Sequence, residues 1–117
     1  MATVDVKSED FAGVIEKGGI VLVDFWAAWC GPCRSFAPIY EAASKKYPDI
    51  TFVKVDTDAE QEISAAAGIS SIPTLMIFRD GILLFSQPGA LPGPALDDLI
   101  SQVSALDMDQ VRKEIAE

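Results

Sequence analysis

The sequence contains no histidine and only two cysteines. The absence of histidine excludes Ser–His and Cys–His nucleophile pairs, and it excludes imidazole metal sites. Two cysteines without histidine do not complete a typical four-ligand structural zinc site, because carboxylates are rare in such sites. We therefore expect no metal centre, and the chemistry has to come from other groups.

Basic residues are also scarce: the 117-residue chain has nine of them and 18 acidic residues, and its net charge is −9. This balance argues against nucleic acid or an anionic membrane as the main partner. No apolar run approaches the roughly 20 residues that a membrane span needs. Residues 1–10 lack the basic and then apolar pattern of a secretory signal. These observations predict a cytoplasmic protein that works in a reducing compartment.

The chain length suits one domain with one core, and strand and helix patterns alternate along it. Alternation predicts parallel strands joined by helices, with helices on both faces of the sheet. Asp80-Gly81 predicts a tight hairpin that adds an antiparallel edge, and Ser8 is a candidate helix cap. The predicted strands are 3–6, 20–26, 51–56, 74–78 and 82–85, and the predicted helices are 8–17, 32–46, 59–67 and about 92–106. The fold class is therefore α/β, with a mixed sheet of about five strands and about four helices.

Both cysteines belong to the segment Trp29-Cys30-Gly31-Pro32-Cys33, which lies between a buried strand and a helix start. The free N–H groups and the dipole at a helix N-terminus stabilise a thiolate, which is the reactive species. Pro32 suits the first helical turn, and Gly31 permits a tight entry. We expect Cys30, the outer residue, to be exposed and to attack, and Cys33 to be shielded and to resolve the mixed disulfide.

A plain stabilising disulfide, or a pair of inert thiols, is the alternative interpretation of the two cysteines. A disulfide that spans two intervening residues closes too short a loop to restrain the unfolded chain much. A reducing compartment also disfavours structural disulfides. A redox pair therefore explains the spacing better.

Asp24 is the one charge in the predicted buried strand 20–26. Burial of a carboxylate without a partner raises its pKa, so Asp24 is a candidate general base or acid for Cys33, with water between them. Lys54, on the strand expected next to it, is the candidate charge partner. From position alone, a local cap or hydrogen bond near a strand end explains Asp24 equally well.

The motifs together resemble the thioredoxin family over about residues 8–106. The segment from Val23 to Cys33 resembles the active-site strand and loop of that family, and Ile72-Pro73-Thr74 resembles its second active-site loop. Further matches are Ala37-Pro38, Val53 to Asp56, Gly68-Ile69, Gly81 and Gly89-Ala90-Leu91. The resemblance implies the thioredoxin fold, and it favours the catalytic interpretation of Asp24.

The resemblance also implies roles for single residues. Cys30 would be the nucleophile, Cys33 the resolving thiol, and Pro73 would follow a cis peptide bond that faces them. A shallow substrate surface would consist of Trp29, Ser71, Ile72, Pro73, Gly89 and Ala90, where an extended substrate backbone pairs with the main chain.

The function implied is that of a protein-disulfide reductase that takes part in electron transport and cell redox homeostasis. Its partners would be disulfide-containing proteins and an NADPH-dependent flavoprotein, thioredoxin reductase. We expect no bound cofactor and a monomer. An oxidase or isomerase of the same fold is the first alternative, and a non-catalytic binding or regulatory module is the second.

Several residues depart from the family pattern and bear on partner choice. Arg34 stands where lysine is common, Ser35-Phe36 continues the turn unusually, and Pro88 removes a backbone donor near the substrate surface. Residues 107–117 extend past the domain of residues 1–106. Asp107 with Gln110 resembles a capping box for a short extra helix, expected to pack on the body rather than bind a partner or dimerise.

Overall fold

The computed structural model describes residues 2–116. The strands are β1 (Thr3–Asp5), β2 (Ile20–Trp26), β3 (Thr51–Asp56), β4 (Thr74–Arg79) and β5 (Ile82–Pro88). The helices are α1 (Ser8–Glu16), α2 (Gly31–Lys46), α3 (Gln61–Ala66), α4 (Gly93–Ala105) and α5 (Met108–Ala116). Across residues 2–116, no helix has the length and the hydrophobicity needed to cross a membrane.

The five strands form one mixed sheet in the order β1-β3-β2-β4-β5. β3 runs parallel to both β1 and β2, whereas β4 runs antiparallel to both β2 and β5. The predicted mixed sheet with an antiparallel edge is therefore confirmed. Because β2 and β4 are antiparallel, the end of β2 lies beside the start of β4, with Phe25 opposite Thr74.

Alternate side chains of β2 belong to two hydrophobic cores, one on each face of the sheet. Leu22 packs in one core with Phe36 of α2 and Leu96 of α4. Val23 packs in the other with Phe11 of α1. A strand covered on both faces is apolar almost throughout, which explains why its sequence does not alternate.

The turn between β4 and β5 has the predicted hairpin form. Asp80 and Gly81 both have positive φ angles, 54° and 81°, as a type I′ turn requires. Asp80 N–H donates to Gly19 O at 3.0 Å, and Asp80 Oδ1 accepts from Gly19 N–H at 3.2 Å. The hairpin turn is thus fixed to the start of β2, at the opposite end of the sheet from the cysteines.

The prediction that Ser8 caps its own helix is wrong. Lys7 occupies the cap position of α1 and makes no side-chain cap bond. Ser8 Oγ instead accepts from Ile63 N–H in the first turn of α3 at 3.3 Å, and Glu60 Oε1 accepts from Ser8 N–H at 2.8 Å. Each helix is therefore capped by a side chain that the other one supplies, which a local pattern does not reveal.

α3 is shorter than the predicted span 59–67. The Asp56 carboxylate accepts from the N–H groups of Asp58 and Ala59, at 2.9 and 3.4 Å. These bonds hold a turn directly after β3, so the helix begins only at Gln61.

Asp107 caps the C-terminal helix α5 as predicted, whereas within residues 2–116 the Gln110 side chain makes no return bond to Asp107 N–H, so only half of the expected capping box forms. Asp107 Oδ1 accepts from the N–H groups of Asp109 and Gln110, at 3.0 and 3.2 Å. Met108 is buried, whereas Ile115 is 63% exposed. The apolar stripe of this helix is therefore covered at its start and open near its end.

We predict that Ser8→Ala lowers the free energy of unfolding by about 1 kcal/mol, because the Ile63 N–H loses its acceptor. Urea unfolding monitored by circular dichroism measures the loss. Ser101→Ala, on the exposed face of α4, is the matched control and should stay within about 0.5 kcal/mol of wild type. Equal stability of the two variants would contradict the mutual-cap interpretation.

Candidate active site

The cysteine pair occupies the junction between β2 and α2. Cys30 is the N-cap residue of α2, with an extended backbone (φ −85°, ψ 114°), and Cys33 lies in the first turn of the helix. Pro32 stands in the same turn, where its missing N–H removes no intrahelical bond. The Cα atoms of the cysteines are 5.2 Å apart and their sulfurs form a disulfide, so the structure describes the oxidised pair.

The two sulfurs differ in their contacts with the backbone. Cys33 N–H donates to Cys30 Sγ at 3.2 Å, so the sulfur takes the place of an oxygen cap at the helix N-terminus. In the reduced protein the same donor and the helix dipole face a thiolate, which accepts a hydrogen bond more strongly than a neutral thiol. The strand-to-helix junction therefore favours ionisation of Cys30 once the disulfide is open.

The expectation that Cys30 is exposed is wrong for this oxidised form. Cys30 is 4% exposed and Cys33 is 3% exposed, so only the shielding of Cys33 is confirmed. Ala27 is buried with the pair, and Ile72 packs against it with its carbonyl oxygen 3.7 Å from Cys30 Sγ. The residue that covers Cys30 comes from a loop far along the chain, which the local motif does not indicate.

The loop before β4 carries the expected cis peptide bond, between Ile72 and Pro73. Gly89 N–H donates to Pro73 O at 2.8 Å, which ties the segment after β5 to this loop. Gly89 has a φ of 109°, a conformation that favours glycine. The cysteine loop, the Ile72-Pro73 loop and the Gly89-Ala90 segment therefore meet at one edge of the sheet, as predicted.

Trp29 stands beside this edge and is 67% exposed. Its Nε1–H donates to Asp58 Oδ2 at 2.9 Å, which fixes the indole over the turn after β3. A groove of about 460 Å³ runs from Trp29 to Ser71 and Ile72 along α3. Asp58 was not among the predicted site residues, although parallel β2 and β3 end at the same edge and so bring the residues that follow them together.

Asp24 is 1% exposed in the middle of β2. Burial raises the pKa of Asp24 from its ordinary value of 3.8 to about 7, against the attraction of the Lys54 charge, which lowers it. Among the residues that the structure describes, the Asp24 Oδ1 atom finds no hydrogen-bond partner. Asp24 is paired with Lys54 of β3 on one side and with Leu75 of β4 on the other, so it lies within the sheet. The alternative that Asp24 forms a local cap near a strand end therefore finds no support.

Lys54 lies directly across the β2–β3 pair from Asp24, as expected from sequence. Its ammonium, however, lies over the Trp26 ring, with Nζ 4.7 Å from the ring centre. Trp26 in turn packs against the cysteine pair and Ala27. The ammonium, the indole and the sulfurs thus form one continuous group of contacts beneath the active-site loop.

Thiol–disulfide exchange is the chemistry that this arrangement supports. Within residues 2–116, no three Cys, Asp or Glu side chains come together as metal ligands. The site contains two sulfurs of unequal environment and a buried carboxyl that exchanges its proton near neutral pH. An open groove beside them can receive an extended polypeptide.

Comparison with known proteins gives consistent matches. The family model described as Thioredoxin matches residues 2–104. A Streptomyces coelicolor protein named "Putative thioredoxin 2" is 53% identical over 116 residues, which cover 99% of this chain and 87% of that protein. The thioredoxin of Bacillus subtilis is 38% identical over 103 residues, covering 87% of this chain and 98% of that protein.

A solved structure of Plasmodium falciparum thioredoxin superposes with a TM-score of 0.78 at 36% identity, covering 86% of this chain and 97% of that one. The two proteins are therefore similar in the arrangement of their strands and helices as well as in sequence. Cys30 and Cys33 lie inside the region matched by the family model and inside the region matched by the Streptomyces coelicolor protein. We conclude that this chain belongs to the thioredoxin family of thiol–disulfide oxidoreductases.

Proposed function

We propose that the protein is a protein-disulfide reductase in which Cys30 is the nucleophile and Cys33 the resolving thiol. The hydrogen bond from Cys33 N–H to Cys30 Sγ carries the proposal, because it sets one sulfur at the helix N-terminus as the favoured thiolate. The dipole of α2, a helix of 16 residues, acts in the same direction.

The exchange proceeds in two steps. The Cys30 thiolate attacks one sulfur of a substrate disulfide, forms a mixed disulfide and releases the other substrate sulfur as a thiolate. Cys33, after losing its proton, attacks Cys30 Sγ and releases the second substrate thiolate. The protein ends as the Cys30–Cys33 disulfide seen here, and the substrate has gained two electrons and, from solvent, two protons.

Asp24 is proposed as the base that takes the Cys33 proton in the second step. A carboxyl with a pKa of about 7 is present in both forms near neutral pH, so it accepts and returns a proton at little cost. Water is proposed to carry the proton from Cys33 to Asp24, which lies on the strand that leads into the cysteine loop. Lys54 modulates this carboxyl through its charge.

The groove beside the disulfide is proposed to hold the substrate chain. Cys30 Sγ lies against Ile72, which lines this groove, so a substrate extended along the loop would present its disulfide to the attacking sulfur. The proposed contacts are Trp29, Ser71, Ile72, Pro73, Gly89 and Ala90. Trp29 offers an exposed apolar face, which Asp58 keeps in place.

Gly31-Pro32 between the cysteines supports the reducing direction, as in the reducing members of the family. We propose that an NADPH-dependent flavoprotein, thioredoxin reductase, restores the dithiol, and that no cofactor is bound in the cycle. The protein would act as a cytoplasmic monomer in electron transport and redox homeostasis. Its domain would be residues 1–106, with residues 107–117 as a helical extension; the family model ends at residue 104.

Two alternatives are distinguished by measurement. An oxidase or isomerase of the same fold requires a much less reducing Cys30–Cys33 potential, which a redox titration determines. A non-catalytic module requires that replacing both cysteines by alanine leaves the biological role intact.

We predict that Cys30→Ser abolishes insulin disulfide reduction, because no thiolate attacks the substrate. Cys33→Ser stops turnover as well, but it accumulates a mixed disulfide on Cys30, because nothing resolves it. An insulin precipitation assay with dithiothreitol and non-reducing mass spectrometry measure the two outcomes. Ser101→Ala should retain wild-type turnover. A wild-type protein without activity, or a mixed disulfide that forms only on Cys33, would contradict the assigned roles.

We predict that Asp24→Asn changes how stability depends on pH. The folded pKa of Asp24, about 7, exceeds its ordinary value of 3.8, so the wild-type protein loses stability as pH rises between these values. Asparagine does not titrate. The stability of Asp24→Asn relative to wild type should therefore grow by about 2–4 kcal/mol from about pH 4 to about pH 8.

Urea unfolding of the oxidised proteins at several pH values measures this gain. Asp49→Asn removes an exposed carboxylate and is the matched control, whose profile should parallel that of wild type. A parallel profile for Asp24→Asn would show that the buried carboxyl does not titrate near neutral pH.

We predict that Ala90→Asp weakens the reduction of protein substrates and spares small disulfides. The added carboxylate stands beside the Ile72-Pro73 loop, on the surface proposed to contact a polypeptide substrate, and a loss of about tenfold in kcat/KM corresponds to about 1.4 kcal/mol. Insulin and a small aromatic disulfide serve as the two substrates. Ala105→Asp, exposed at the far end of α4, is the control, and an equal loss on both substrates would contradict the assignment of Ala90 to the substrate surface.

A further inference from the structure

The position of the Lys54 ammonium does not follow from its strand register. Asp24 and Lys54 are direct partners in the parallel β2–β3 pair, so their side chains leave the same face of the sheet. Nevertheless, no ion pair joins them in the part of the chain that the structure describes. The ammonium lies instead 4.7 Å from the centre of the Trp26 ring.

Trp26 follows Asp24 by two residues and therefore shares its face of β2. Its ring is half-buried against Cys30 and Cys33, and its Nε1 is buried, so packing fixes the indole in place. An ammonium over an indole face is attracted by the negative charge distribution of the ring, and more strongly when the pair is desolvated. The ring is thus a fixed site for the cation that competes with the carboxylate.

We propose that Trp26 holds the Lys54 ammonium off the Asp24 carboxylate and so leaves that carboxyl able to exchange its proton. Trp26 is then a positioning residue that acts on Asp24 through Lys54. The functional meaning of this inference rests on the proposed role of Asp24 as the base for Cys33. The placement of the three side chains does not rest on that role.

Other titratable and charged side chains lie around Asp24 and Lys54. From α2, Asp24 is faced by the buried phenol of Tyr40, which donates to Val53 O at 2.8 Å, and its β4 partner is apolar Leu75. Burial raises the pKa of Tyr40, and the negative charge of the Asp24 carboxylate raises that pKa further. Lys54 also lines a surface pocket of about 310 Å³ whose charged members are Asp5, Lys7, Asp56 and Glu60.

The test replaces Trp26 by leucine and follows the Asp24 side-chain carboxyl carbon by ¹³C NMR across pH. The oxidised protein is used, so that the cysteines do not titrate. Freed from the ring, the ammonium moves onto the carboxylate, and the pKa of Asp24 should fall by about 1. Trp26→Phe keeps a weaker aromatic face and should give a smaller fall.

A smaller side chain at position 26 could also lower the pKa of Asp24 by admitting water. Lys54→Met separates this hydration effect from the movement of the ammonium. Lys54→Met alone should raise the pKa of Asp24, and adding Trp26→Leu or Trp26→Phe should then leave it unchanged. If Trp26→Leu does not fold, the phenylalanine variants carry the same comparison. A fall that persists without Lys54, or no fall with Lys54 present, would overturn the proposal.

Turnover is measured separately on the same variants as a function of pH. If the wild-type rate does not follow the titration of Asp24, the proposed catalytic role fails, while the NMR result still decides the role of Trp26. If both hold, the pH at which turnover changes should move with the pKa of Asp24 in each variant.

Discussion

The hydrogen bond from Cys33 N–H to Cys30 Sγ exists because a buried strand ends where a long helix begins. β2 is held on both edges by β3 and β4, and α2 is packed against it through Phe36 and Tyr40. This packing fixes the orientation of α2, so the N-terminus of the helix stays directed at Cys30 Sγ. The other parts of the site, including the Ile72-Pro73 loop, are arranged around that fixed point.

A second constraint is the charge inside the same strand. Asp24 occupies a position where its neighbours are apolar, and burial outweighs the attraction of Lys54. The carboxyl destabilises the folded protein when it is ionised. Its two protonation states, however, have nearly equal free energies at neutral pH, which suits the proposed role of Asp24 in taking up and releasing one proton in each cycle.

Much of the fold could be predicted from the sequence because its signals are local. β2 and β3 have the predicted bounds, since runs rich in apolar, β-branched and aromatic residues define them despite Asp24 and Lys54, and Asp80-Gly81 defines its own turn. What could not be predicted depends on contacts between distant segments. Only the family resemblance placed the Ile72 loop opposite the cysteines, and the local sequence indicated neither that Ile72 covers Cys30 nor that Asp58 binds Trp29. The direction of the Lys54 side chain depends on where packing places the Trp26 ring, which strand register alone does not determine.

The reciprocal caps of Ser8 and Glu60 join two helices that are far apart in the chain. In each first turn, one amide group gains a protein acceptor only when the other helix has docked. The docking of α1 therefore stabilises the start of α3. Since α3 also forms one wall of the groove, loosening of the N-terminal helix would reach the surface that is proposed to receive the substrate.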